Sequence, residues 1–596
     1  LQNNTLESKD SKLKAFIPAG GTAGIPQAIL NAQFKDDATT PGGEVLGIKC
    51  VGAFIAAPTP AGDKWCVDSL TAAMASKLKG LDQVDKMAME GRETDVLQLQ
   101  YGFIRRCADL VANYAKQTHP PHIASPAMHW VDNRLRRSME ILAAVLPTDT
   151  ARERWWREAQ LPTSMGGLGV GGHVGTCGAV FAASMLRCWP HLLTTGNTLA
   201  AADLAAAVRG ADNALPLLRS LVDAYEHLRS LRAGVQTTYD EFAKTCYWTL
   251  QGDKVYRFTP PSLPPAKRLP SIAGMFQPKS DIKPPAQRVL CNVVHHRRWL
   301  DAYEAACALD AACPHPTVRD REATRFIAYS QACSGSWLDI VPDGSWTMKI
   351  TSPDFRIGLQ RRGGLEISAV RTVAEVLAAH GEHWDLKGDA LANNGEYNRR
   401  HNLVLAATRK MVAAVATGPI VLGDKEDPGK TKALNDGHVV DMAELGAEES
   451  GADTLYEVKN PTPLKKLYSA GLGSQQHGGC PATKGSTHGF GSTLEQYTVM
   501  TCGTRKRGRP QDGPFKHDTG KGYVEFKKGH YHDGIYVKKN NLVLALVETS
   551  GGVSPPFLRH VGRLHRRTRT PGAVDRTHYG SVRMSPTSYF VHHTQQ

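Results

Sequence analysis

Three neighbouring stretches decide the fold: RRHNLVLAATRKMVAAV (399–415), HVVDMAEL (438–445) and TLYEVKNPTPL (454–464). The first carries apolar residues at helical spacing behind a basic, polar start, so it predicts a helix. In the third, alternation puts Glu457 and Lys459 on one face of a strand and turns Tyr456 and Val458 to the other, toward a core. Asp441 ends the apolar run before the second strand, and a strand, loop and strand across 441–457 would bring its carboxylate beside Glu457.

Two carboxylates and an ammonium in that arrangement suit phosphodiester cleavage. Such a reaction needs a divalent cation to neutralise the scissile phosphate and acidify an attacking water, and Mg²⁺ asks for only one or two carboxylates plus waters. Asp441 and Glu457 are the candidate metal ligands for Mg²⁺ or Mn²⁺, and Lys459 the candidate group to orient the water or steady the developing charge. The competing reading is an exposed, salt-bridged strand, because a glutamate two residues before a lysine is common on any solvated strand edge.

Outward from this core, the chain of 596 residues is long enough for several folding units. Its 41% hydrophobic and 21% charged residues describe an ordinary globular protein, and no uncharged apolar run is long enough to span a membrane. Lys plus Arg exceed Asp plus Glu by 71 to 57, a net charge of +14 that suits a polyanionic partner. The twelve cysteines are scattered, with no CxxC pair, and are expected to be reduced and mostly buried. The chain opens at Leu1 on a polar stretch without a signal-peptide pattern and reads as a fragment of a longer protein.

Two loops mimic phosphate cradles. Gly167-Leu-Gly169-Val-Gly171-Gly172 satisfies GxGxxG, yet no strand precedes it and no acid follows at the right distance, so a dinucleotide site is rejected. The Gly423–Thr431 stretch has its glycines one residue too far apart for a P-loop, and Pro428 removes a needed amide.

The order RRHN, helix, acidic loop, VVD strand and ExK strand resembles the PD-(D/E)xK restriction-like endonuclease of non-LTR retrotransposon polyproteins. Further on, Lys527-Lys528-Gly-His-Tyr531 and LVLALVETSGG (542–552, with Glu548) are similar to that family's lysine-tyrosine helix and the segment after it. Upstream, TLESKDSKLKAFIPAGG (5–21) and LGIKCVGAFIA (46–56) resemble the end of a reverse-transcriptase palm. LPTSMGGLGVGG (161–172) resembles a thumb marker, and residues 334–367 resemble a connector of these polyproteins.

The resemblance implies a multidomain, mainly α protein with a C-terminal α/β (α+β) restriction-endonuclease-like domain and a small β-rich palm remnant. Its expected divisions are the palm end at 1–62, a helical thumb-like domain at 63–255, a Pro-rich linker at 256–286, a helical connector at 287–380, the endonuclease at 385–560 and an Arg-rich segment at 561–596. It implies catalytic roles for His401, Asp441, Glu457, Lys459, Lys528 and Tyr531, with His401 also readable as a capping or core histidine.

DNA and element RNA are the implied partners, with function inside the cell, in the nucleus. Arg399, Arg400, Arg105, Arg106, Arg566 and Arg567 are the candidate nucleic-acid contacts; Lys9, Lys12, Arg134 and Arg137 share that reading, and each also reads as a solvated charge. Two departures stand out. The family's Cys/His cluster before RHN is reduced to His380 and His383, with no cysteine between Cys333 and Cys480, so zinc is not expected there. Val440 replaces the usual proline before the metal aspartate.

The polymerase's paired aspartates would lie before Leu1, so DNA synthesis is not expected of this chain alone. The alternative is a catalytically inactive retroelement remnant that only binds nucleic acid. A third reading, a host interaction protein reusing the helices, predicts protein partners and no salt-dependent affinity for nucleic acid.

Overall fold

The computed structural model describes residues 47–50, 53–56, 59–90, 96–145, 151–194, 198–211, 214–245, 247–250, 253–256, 269–275, 282–312, 321–330, 333–339, 350–367, 370–371, 397–423, 434, 439–447, 451–460, 534, 537–547, 550–553 and 555–567. The protein is mainly helical, with a small mixed sheet of four strands near its C-terminal end. No described helix is long and apolar enough to cross a membrane.

A hairpin of β1 (Gly47–Cys50) and β2 (Ala53–Ala56) precedes the helices. The helices that follow are α1 (Pro60–Leu78), α2 (Gly80–Glu90), α3 (Val96–Phe103), α4 (Ala112–Thr118), α5 (Pro121–Ala143), α6 (Arg152–Ala159), α7 (His173–Thr194), α8 (Thr198–Val208) and α9 (Pro216–Thr245). Their cause is visible in α5, where Ile123, Met128, Val131, Leu135, Met139 and Leu142 recur at helical spacing and are all buried. Thr59 starts α1 by accepting the Gly62 amide, and Pro60 at the first helical position needs no partner for a missing N–H.

A second hairpin, β3 (Tyr247–Leu250) and β4 (Asp253–Tyr256), leads into the Pro-rich stretch. That stretch is not wholly an extended linker. Residues Ile272–Met275 form a short helix α10, and Leu269, Ile272 and Met275 bury beside Leu218, Tyr225 and Leu290, because their spacing presents one apolar edge between the prolines. Then come α11 (Gln287–Ala312), α12 (Arg321–Tyr329) and α13 (Ser352–Arg362). Phe355, Leu359 and Leu365 belong to the same core as Leu70, Tyr101, Met139 and Trp155, so the helices before and after the Pro-rich stretch share one interior.

Arg362 fastens that union. Only 1% exposed, it donates from Nε to Gly167 O at 3.0 Å, from Nη1 to Ser334 O at 3.0 Å, and from Nη2 to Thr163 O at 2.6 Å and Tyr329 O at 3.3 Å. Burial brings its pKa down to about 10. The GxGxxG look-alike has its amides spoken for. Gly171 donates to Asp109 Oδ1 at 2.7 Å, while His173 and Val174 at the start of α7 donate to the two oxygens of Asp132 at 3.1 and 3.2 Å. A phosphate would have to displace two carboxylates.

The C-terminal part runs α14 (Tyr397–Ala413), β5 (Ile420–Leu422), β6 (Met442–Glu444), β7 (Thr454–Lys459), β8 (Asn541–Leu546) and α15 (Pro555–Arg567). The strands lie in that order, with β5, β6 and β7 antiparallel neighbours and β8 parallel to β7. Helix α15 begins before and ends after residue 560, so the expected boundary there divides a helix whose buried stripe, Phe557, Val561 and Leu564, is continuous. Seven cysteines whose side chains are described are not mostly buried: Cys66 and Cys177 are buried, Cys291, Cys307 and Cys333 partly so, and Cys107 and Cys188 exposed.

Candidate metal site on the C-terminal sheet

Helix α14 turns Leu405, Thr408, Met411 and Val412 toward the sheet. His401 lies one turn before Leu405 on that face and so arrives at the start of β6. There its Nε2 stands 3.2 Å from Asp441 Oδ2. The same oxygen accepts the Val458 amide at 2.7 Å, taking the place a backbone carbonyl would fill in the ladder. Asp441 Oδ1 carries no hydrogen bond among the described residues, and the side chain remains 20% exposed.

The ladder pairs Met442 with Tyr456 and Ala443 with Leu455 and ends there; beyond it the Asp441 side chain holds the Val458 amide, which sets Asp441 beside Glu457. The structure therefore brings His401, Asp441 and Glu457 to one end of the β6–β7 hairpin. β7 is an interior strand between β6 and β8, and Glu457 is only 5% exposed, which differs from the solvated edge that alternation alone suggests. Both faces of β7 are covered: Tyr456 and Val458 join the core under α14 and α15, and Leu455 packs with Val440 and Ala443 on the other side. Val440 fills this second core, which gives the apolar residue before the aspartate a packing role.

Close approach of the α14–β5 turn sets the hairpin's position. A Cβ on Gly418 would fall 1.8 Å from Leu445 O, so only glycine allows that contact. Thr417 and Leu445 then tie the turn down, through Glu444 Oε1 at 3.1 Å and Pro419 O at 2.9 Å.

Behind the hairpin lies a polar chain that the sequence did not announce. Arg563 Nη2 is 3.1 Å from His560 Nδ1, His560 Nε2 is 3.0 Å from the Tyr456 hydroxyl, and that hydroxyl is 3.5 Å from Glu444 Oε2. Arginine can only donate, so His560 carries its proton on Nε2 and gives it to Tyr456, whose own proton points to Glu444. Burial and the two arginines hold the His560 pKa down to about 3, and burial raises that of Tyr456. Arg567 completes the chain at Glu444 Oε1, 3.3 Å away, and also donates to Ala447 O.

The expected nucleic-acid contacts fall into two sets. Arg567 turns inward, as just described, because the fully buried Glu444 needs a cation. Arg105 pairs with the Asp339 carboxylate and Arg106 donates to the Asp339 carbonyl, so both hold the connector turn Ser336–Asp339 instead of standing free. Arg134 likewise pairs with Asp85 at 2.9 Å. Arg137, Arg399 and Arg566 are exposed, and Arg400 is partly buried. Lys459 ends β7 opposite Leu546, but its side chain lies outside the described residues, as do Lys9, Lys12, His380, His383, Lys528, Tyr531 and Glu548.

Among the described residues, no three His, Cys, Asp or Glu side chains are placed to hold a metal ion together. The oxygen donors that lie near each other at this end of the sheet are the carboxylates of Asp441 and Glu457, and Mg²⁺ asks for only one or two carboxylates plus waters. No protein-family model, no curated protein and no solved structure matches the chain.

Proposed function

We propose that residues 397–567 form a divalent-metal-dependent endonuclease that nicks DNA, within a protein derived from a non-LTR retroelement whose helical part grips nucleic acid. One observation carries this reading: Asp441 Oδ2 holds the Val458 amide, next in the strand to the buried Glu457, with His401 on the same oxygen.

The bound cation would neutralise the scissile phosphate and acidify the attacking water. The chain's own residues supply the frame. The Val458 amide and His401 fix Oδ2 of Asp441, which stops the carboxylate from rotating and leaves Oδ1 directed outward. Glu457 is held by strands on both sides, so its position is set by the sheet. Lys459 and Lys528 are proposed to steady the charge that develops on the phosphate, and Arg399, Arg400 and Arg566 to hold the backbone on either side.

A supercoiled-plasmid nicking assay with Mg²⁺ or Mn²⁺ tests the proposal. Asp441→Ala and Glu457→Ala are each expected to lower the nicking rate by about 100-fold or more, and EDTA to abolish it. Parental nicking rates in both variants would end the metal-site reading. DNA binding that weakens with salt, without any metal-dependent cutting by the parent chain, would leave the inactive remnant in its place.

A further inference from the structure

Far from that site in the sequence, a cavity of about 750 Å³ opens between α6 and α11, within the range that takes small molecules. Its floor is the small-residue face of α11, Ala302, Ala305 and Ala308 with Leu309 beyond them. Arg298 stands at one end and Arg157 on the opposite wall.

Arg298 is built into place. A Cβ on Gly172 would come within 2.2 Å of its Nη1, and a Cβ on Gly175 within 2.2 Å of its Nη2, so the guanidinium lies in the space that two glycines leave open. There it donates one hydrogen bond, from Nη1 to Gly172 O at 3.3 Å, although a guanidinium has five N–H donors. Burial holds its pKa below the usual arginine value. The two acids that act on it are committed elsewhere. Asp132 accepts the His173 and Val174 amides, and Asp301 pairs with Arg297 at 2.5 Å.

The other acids of the wall are also matched. Glu153 pairs with Arg136 at 2.6 Å and Glu158 with Arg325 at 2.9 Å. Among the described residues, Arg298 and Arg157 are the wall's cations without an ion pair. A cavity with an apolar floor and a surplus of positive charge at one end fits neither a bare phosphate, which leaves the floor unused, nor a nucleic-acid backbone, which brings no apolar body.

We infer that this cavity binds a small amphipathic anion, a carboxylate or phosphate monoester whose head meets Arg298 and whose apolar body lies along Ala302, Ala305 and Leu309. Titration calorimetry of the full chain with octanoate and octyl phosphate tests it, against 1-octanol, inorganic phosphate and a short oligonucleotide. Saturable binding of the two amphipathic anions is expected, weakened about tenfold or more in both Arg298→Met and Ala305→Leu. Should Arg298→Met fail to fold, Ala305→Leu decides alone, since it fills the floor without touching the guanidinium. Equal binding in Ala305→Leu, equal affinity for 1-octanol, or displacement by the oligonucleotide as effective as by octyl phosphate would each overturn the assignment.

Discussion

In the helical part, Arg362 is 1% exposed and its donors end on four backbone carbonyls; in the sheet, Asp441 spends one oxygen on Val458 and His401 and keeps the other open. Both arrangements cost desolvation. In the first, the cost is offset by hydrogen bonds inside the fold, so the charge acts as a fastener. In the second, a fixed carboxylate is left with free capacity, as a ligand site requires. The neighbours extend the contrast. Arg325 is spent on Glu158, Glu322 and the Arg362 carbonyl, while His401 and Asp441 stay 18% and 20% exposed.

The strongest way to break this comparison is to remove the fastener. Arg362→Met keeps the apolar stem but strips the donors from Gly167, Thr163, Tyr329 and Ser334, buried acceptors that each cost about 1–3 kcal/mol when abandoned. A loss of more than about 4 kcal/mol is expected, read as a lower urea midpoint of the helical part. A variant within about 1 kcal/mol of the parent would show that the carbonyls find other partners and that Arg362 is no fastener.

How much of this was legible follows from the range of each interaction. The α14 spacing and the Glu457/Lys459 alternation are local, so a helix and a strand could be read, and the short hairpin sets the Asp441 carboxylate on the Val458 amide. That β7 is interior was not legible, because its parallel partner begins only at Asn541, and nothing local tells a covered strand from an edge. Arg362 sits in an unremarkable Arg-Arg-Gly-Gly run, and its four acceptors lie up to 199 residues away. Arg567 looked like a phosphate contact because a basic helix end gives no hint of the buried Glu444 it serves.

Acid should sharpen the comparison next. His296, 1% exposed in the helical part, has its pKa lowered to about 4 by burial first and Arg232 second; His560 in the sheet unit is lowered to about 3. Both folded values lie below the unfolded value of about 6.5, so the unfolded chain binds the extra proton and stability falls with pH. The contribution is present in full above about pH 6.5 and is lost as pH falls through the folded values. For His296 the loss is on the order of 3 kcal/mol. His296→Gln and His560→Gln should each flatten the pH dependence of the urea midpoint between pH 6.5 and 4. An unchanged slope in either variant would remove that histidine from the account.

The smallest expected effect separates two adjacent arginines. Arg566 is exposed on α15, whereas Arg567 is the cation of a fully buried Glu444 that also receives the Thr417 amide. Arg567→Ala leaves that carboxylate short of a partner, at a cost of about 1–3 kcal/mol. Arg566→Ala should leave stability within about 0.5 kcal/mol of the parent and lower the salt slope of DNA binding by about 1, the signature of one lost phosphate contact. The prediction fails if the two variants trade places, with Arg566→Ala destabilising the chain and Arg567→Ala changing only the salt slope. The inward-turned arginine would then be the DNA contact, and the fastener would have to be sought elsewhere on α15.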